Sequence, residues 1–257
     1  GGGFAHPSFH NLASEEVASG KLQPDSDAAL ALTLSGRRLS LSLSLGIAGA
    51  MAAVVNPDRI RCISTDSTVS PSPGGIVYWM SREQRVADNW ALLHARELAE
   101  KRSVPLTVCF CLVPTFLEAT IRQYGFMLAG LREVEAELRA MGVPFALLQG
   151  LPAATLPAFC HKHAVCAVVA DYSPLRVPKA WKADVAAALD STALIEVDAH
   201  NVVPVWVASD KVEVGARTIR KKITERLPKW LTPIPPFEKP SAPPAPSIAK
   251  ETATPVD

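Results

Sequence analysis

With 257 residues, 48% of them hydrophobic and 20% charged, the chain has the composition of a globular core, which excludes a wholly disordered protein. Its length suits one large domain, or one of about 150–180 residues with irregular flanks. A net charge of +1 excludes a global electrostatic attraction to nucleic acid, so any such attraction needs a local patch.

Residues 1–35 show no sustained periodicity and read as disordered. Arg37-Arg38 and the acid-free run "LSLSLSLGIAGAMAAVV" (39–55) have the look of a signal or transit segment. At 17 residues with three serines the run is a weak membrane span. The alternative is a non-native upstream extension, with Met51 as the natural start. Residues 1–58 are therefore expected to form a disordered or targeting extension.

Regular patterning starts at "GIVYWM" (75–80), an apolar, β-rich run. A helix is expected over 86–101, with Val86, Trp90 and Leu93 on one face. "PLTVCFCLV" (105–113) reads as a second buried strand. A long helix over about 115–141 follows, carrying Leu117, Ile121, Tyr124, Leu128, Leu131, Leu138 and Met141, with Gly142 as its stop signal. Strands at 143–150, 164–171 and 192–198 alternate with helices at 153–163 and 178–189. Strands apolar on both faces and separated by helices imply a parallel sheet covered on both sides. The expected fold is α/β over 59–200: a doubly wound, five-stranded, Rossmann-like parallel sheet. Ligands of such sheets lie at the carboxyl ends of the strands, which singles out loops 80–85, 111–115, 149–153, 170–177 and 198–204. Residues 201–232 read as a connection with a basic helix near 217–229, and 233–257 as a proline-rich linker or tail.

The turn after the first strand, Ser81-Arg82-Glu83-Gln84-Arg85, has two arginines and no glycine. G-x-G-x-x-G and G-x-x-x-x-G-K-[ST] are both missing, so ordinary dinucleotide and P-loop binding is disfavoured. Two readings stand side by side. Arg82 or Arg85 pairs with Asp88 and straps strand to helix, or Arg82 lies beside a ligand at the sheet edge. Asp88 and Asn89 are expected in the first turn of the next helix, where a carboxylate suits the dipole.

Five cysteines, Cys62, Cys109, Cys111, Cys160 and Cys166, form no even disulfide framework and point to a reducing compartment. Cys160, His161, His163 and Cys166 match no zinc spacing, and Cys109 and Cys111 have no base at fixed spacing. No metal site and no catalytic residue is assigned. The basic segment with Arg217, Arg220, Lys221, Lys222, Arg226 and Lys229 could touch phosphate, although charge runs are more often solvated faces. Asp198, His200 and Asn201 allow either a dyad or, more simply, a loop that fixes the next domain.

Taken together, "VYWMSREQRVADNWALLHA", "LTVCFCLVPTFLEATIRQYGFMLAGLREV", "DYSPLR" and "VDAHNVVPVWVASDKVEVGARTIRKKI" resemble the amino-terminal α/β domain of class II cyclobutane-pyrimidine-dimer DNA photolyases. The resemblance runs from about Arg59 to Pro236, with Glu83 standing where the family more often has aspartate. It implies a light-driven DNA-repair flavoprotein, an electron from reduced FAD splitting the dimer. FAD and the dimer belong mainly to a helical carboxyl-terminal domain that these residues do not include. The alternatives are a non-catalytic chromophore-binding module or a cryptochrome-like photosensor fragment. The resemblance also implies an antenna chromophore, of the deazaflavin type in some members, near the strand ends. By position its pocket would be lined by Trp79, Met80, Ser81 and Arg82, by Cys111, Leu112 and Val113, and by Asp171, Tyr172 and Ser173. Expected partners are UV-damaged DNA and the helical FAD domain, for a monomer without membrane association in the nucleus or an organelle.

Overall fold

A computed structural model describes residues 53–64, 72–189 and 191–253. The expectations for residues 1–52 lie outside the described residues.

The sheet has six strands: β1 (Ile60–Cys62), β2 (Ile76–Met80), β3 (Leu106–Leu112), β4 (Phe145–Gln149), β5 (Ala167–Asp171) and β6 (Ala193–Val197). Their order is β1-β6-β5-β2-β3-β4. The five strands β2 to β6 run parallel, as their two-sided apolar patterns require, and each lies within the span expected for it. The count of five was one short. Strand β1 pairs antiparallel with β6, setting Arg61 opposite Glu196. It escapes pattern reading because it has three residues, two of them exposed, and owes its existence to a partner far along the chain.

Between these strands lie α1 (Trp90–Arg102), α2 (Ile121–Ala140), α3 (Pro152–His163) and α4 (Arg176–Ala188). Alternation along β2 divides the core in two. Ile76, Tyr78 and Met80 face a cluster completed by α1 and α2, while Val77 and Trp79 face one completed by α3 and α4.

Two helices start later than expected, each for a local reason. Asn89 caps α1, its side-chain oxygen accepting from Ala91 and Leu92 N–H at 3.0 Å each. Asp88 therefore lies outside the helix, at φ +51°. Thr120 opens α2 with a capping box, its N–H donating to Gln123 Oε1 at 2.8 Å, and Leu117 at φ +51° prevents an earlier turn. Leu117 and Ile121, expected in the buried stripe, are exposed instead. Gly142 follows the end of α2 at φ +71°, the left-handed stop its sequence position suggests.

Past β6 come α5 (Val205–Ala208), α6 (Ala216–Thr224), α7 (Leu227–Trp230) and α8 (Pro246–Glu251). The single basic helix expected over 217–229 is two, with Pro228 in the first turn of the second. The proline-rich segment is not a free linker. Ile234 and Phe237 pack on the α1/α2 side, Ala245 and Ile248 are buried on the α3/α4 side, and His163 bonds Ser247 (3.0 Å) and Glu251 (2.9 Å). Residues 53–58, expected in the extension, also join the fold: Val55 is fully buried and the N–H groups of Val54 and Val55 donate to Glu97.

Candidate functional site

The glycine-free turn does bind an anion, and the anion is its own. Asp171, the last residue of β5, points its carboxylate under the turn after β2. Its Oδ2 accepts from the N–H of Ser81 (2.9 Å), Arg82 (2.9 Å) and Glu83 (3.0 Å), and its Oδ1 from the Tyr78 hydroxyl (2.6 Å). Three successive amides on one oxygen form a nest of the kind that elsewhere holds phosphate. Glycine is unnecessary because no external pyrophosphate has to reach the backbone. Burial raises the Asp171 carboxyl above the ordinary aspartate range, and the four donors pull it back. The Tyr78 hydroxyl is pushed well up by burial and by the neighbouring carboxylate. Asn89 closes the network with Nδ2, donating to Tyr78 Oη (3.0 Å) and to the carbonyls of Glu83 (3.2 Å) and Arg85 (3.0 Å).

The turn's side chains then divide. Glu83 is buried and takes an ion pair from Arg85 and a hydrogen bond from His200 Nδ1 at 2.7 Å. Arg85 also donates to the Asp88 carbonyl at 3.1 Å. The expected strap from arginine to the Asp88 carboxylate is not what forms: Arg85 pairs with Glu83 within the same turn and meets Asp88 only at its backbone carbonyl. Arg82 goes elsewhere, reaching His200 Nε2 at 2.8 Å and lining a cavity.

That cavity, about 630 Å³, opens over the carboxyl ends of β2, β3 and β5, beside the point where the strand order reverses between β2 and β5. Of the residues named from the sequence, Trp79, Met80, Ser81 and Arg82 line it, with Cys111, Val113 and Ser173. Leu112, Asp171 and Tyr172 do not. Leu112 packs into the α1/α2 core, Asp171 is committed to the turn, and the Tyr172 ring meets Trp206 edge-on at 5.6 Å. Along β3 the side chains alternate, so Cys111 faces the cavity while Leu112 turns to the other side of the sheet.

Sequence reasoning missed the walls. Phe116, Tyr124, Phe126 and Met127 come from α2 and the loop before it, and Trp181 and Lys182 from α4. Phe116 and Trp181 meet across the cavity at 5.6 Å. Phe126 was the available signal: it breaks the stripe of its helix and is 85% exposed. Lys182 lies buried at the cavity wall, bonded to the Asp171 carbonyl and to Glu196. Burial lowers its ammonium pKa, and Glu196 opposes that shift.

The remaining sequence candidates serve the fold. Asp198 accepts from the N–H of His200 (3.3 Å), Asn201 (3.0 Å) and Val205 (2.8 Å), so it fixes the loop and makes no dyad with the His200 ring. Arg59 locks that loop, donating to the carbonyls of Asp198, Asn201 and Val202 while lying against the rings of Trp90 and Trp230. Burial drives the Cys111 thiol up to about 11 and Cys160 to about 12, and raises Cys109 well above the ordinary thiol range, which disfavours thiolate chemistry. Among the described residues, no cluster of three or more His, Cys, Asp or Glu could hold a metal, and no helix is long and apolar enough to cross a membrane.

The model of the DNA photolyase family matches residues 76–242, which hold β2 to β6 and the cavity. The chain belongs to the DNA photolyase family. It is 54% identical to a deoxyribodipyrimidine photo-lyase of Potorous tridactylus over 182 residues, 70% of this chain and 34% of the relative. It is 46% identical to one of Arabidopsis thaliana, covering 72% of this chain and 38% of that protein. The chain thus spans about a third of the length of these relatives. A Synechocystis cryptochrome shares the fold at a TM-score of 0.56 and 16% identity, over 70% of this chain and 38% of that one. Within the photolyase family, then, this chain supplies the amino-terminal α/β domain.

Proposed function

We propose that this domain is the light-harvesting part of a class II photolyase that splits cyclobutane pyrimidine dimers in UV-damaged DNA. The observation that carries the reading is the apolar, aromatic-walled cavity at the switch point of the sheet, in a chain matched by the photolyase family. A flat antenna chromophore of the deazaflavin type suits it. Phe116, Tyr124 and Trp181 supply ring-sized apolar contact; Ser81, Arg82 and Gln84 supply the few polar groups that orient a ligand. The bound chromophore contributes absorption of light, and the protein contributes position, exclusion of water and a fixed electrostatic setting. FAD and the damaged DNA fall to the part of the relatives that these 257 residues do not span.

The test is reconstitution of the 257-residue chain with a deazaflavin, followed by absorbance and fluorescence of the desalted protein. About one chromophore per chain is expected. A colourless protein that binds no deazaflavin would sink the antenna reading. Flavin retained at about one per chain, together with light-dependent loss of dimers from irradiated DNA, would instead show that this domain performs repair unaided.

A further inference from the structure

We infer that His200 is a positioning residue for Arg82, and that the cavity takes a flat ligand carrying an anionic group at its Arg82 end. The inference rests on the cavity being the ligand site proposed above.

The proton arrangement at His200 is set by its two neighbours. Arginine keeps its charge and has no acceptor, so the 2.8 Å contact between Arg82 Nη2 and His200 Nε2 requires a lone pair on Nε2. The ring proton is then on Nδ1, where it donates to Glu83 Oε1 at 2.7 Å. Glu83 is itself immobile: its backbone N–H is held by Asp171 and its other carboxylate oxygen by Arg85. A rigid carboxylate thus orients an imidazole, and the imidazole orients a guanidinium.

Arg82 is left with capacity to spare. Its Nε is buried without a hydrogen bond, 3.9 Å from Glu83 Oε1, and its Nη1 makes none among the described residues. The other cation lining the cavity, Lys182, is occupied by Glu196 and the Asp171 carbonyl. The Nε side is turned to Glu83, so Nη1 is the donor Arg82 has left for the cavity, and a donor on a charged group is met best by an anionic oxygen. The missing acceptor is therefore assigned to the ligand.

Riboflavin and its phosphate, FMN, share one flat ring system and differ by an anionic group, so they serve as probes. Fluorescence titration of the whole chain at fixed ionic strength should show FMN binding about tenfold more tightly than riboflavin. His200→Leu should reduce that preference to about twofold or less while leaving riboflavin affinity unchanged. His200→Gln, which can accept from Arg82 and donate to Glu83 through one amide, should restore it. Equal binding of the two probes by the native chain, or an FMN preference that survives His200→Leu in a variant of native Tm, would overturn the inference while leaving the cavity as a flavin-type site. Binding of neither probe would overturn the cavity reading itself, and this inference with it.

Discussion

Two buried aspartates at the carboxyl edge of the sheet use the same device for different ends. Asp171, closing β5, gathers the amides of Ser81, Arg82 and Glu83; Asp198, just past β6, gathers those of His200, Asn201 and Val205. The Asp171 network borders the cavity through Ser81, Arg82 and Lys182. The Asp198 network lines none of it: it touches the cavity only at second hand, through His200 against Arg82, and otherwise packs towards Arg59, Trp90 and Trp230. A carboxylate capping a loop is thus a fold device, and it becomes part of a site only when the loop it holds also lines a cavity.

Substitutions can break that comparison. Asp171→Ala removes four acceptor contacts in a fully buried place and should cost about 3–5 kcal/mol, with loss of cavity ligand. Asp198→Ala should cost about 2–4 kcal/mol yet leave affinity for an uncharged flat ligand within about twofold, as measured by denaturant melts and riboflavin titration. Equal loss of ligand in both would show that the two networks are one unit.

Ile248→Ala should cost about 2–4 kcal/mol, because this side chain is fully buried although it belongs to a segment with the composition of a linker. A cost near zero would return that segment to the status of a free tail. Tyr78→Phe leaves one Asp171 oxygen without its phenolic donor and should cost about 1–2 kcal/mol. Arg82→Ala should shift stability by less than about 0.5 kcal/mol but weaken an anionic ligand about tenfold. Unchanged affinity with a large drop in Tm would make Arg82 a strap after all.

The smallest effect lies beyond Asp198, where Lys222, Thr218 and Ser209 hold the Glu213 carboxyl down at about 2. A folded pKa below the unfolded value stabilises at pH above the ordinary glutamate range. The contribution is lost as pH falls from about 4.5 towards about 2. Amide exchange over 209–224 should therefore quicken on acidification in that window, and Glu213→Gln should flatten the response. No change should reach the cavity.

Several local features are legible in the sequence and others only half so. The T-x-x-Q spacing of Thr120 and Gln123 spells the capping box that starts α2, and it marks the helix start that the apolar stripe alone puts too early. Asn89, expected within the first turn, is the cap itself through its side-chain amide. Phe126 can be seen to lie off the apolar stripe of α2, but nothing local says that it shares a cavity with Trp181, which keeps the stripe spacing of Val185 and Leu189.

By itself the sequence determined the alternation of apolar strands and amphipathic helices, and from it a parallel sheet whose ligands gather at the strand ends. Hydrophobic period is a short-range property, written within each element and readable there. Only the tertiary structure decided which side chains meet: Asp171 with a turn some ninety residues earlier, His200 with Glu83 across 117 residues, Ile248 beneath the sheet. Such partners are selected by packing between elements distant in sequence. The turn Ser81–Arg85, with its charges and without glycine, is therefore recognisable as unusual from the sequence but only in the fold as a nest already filled.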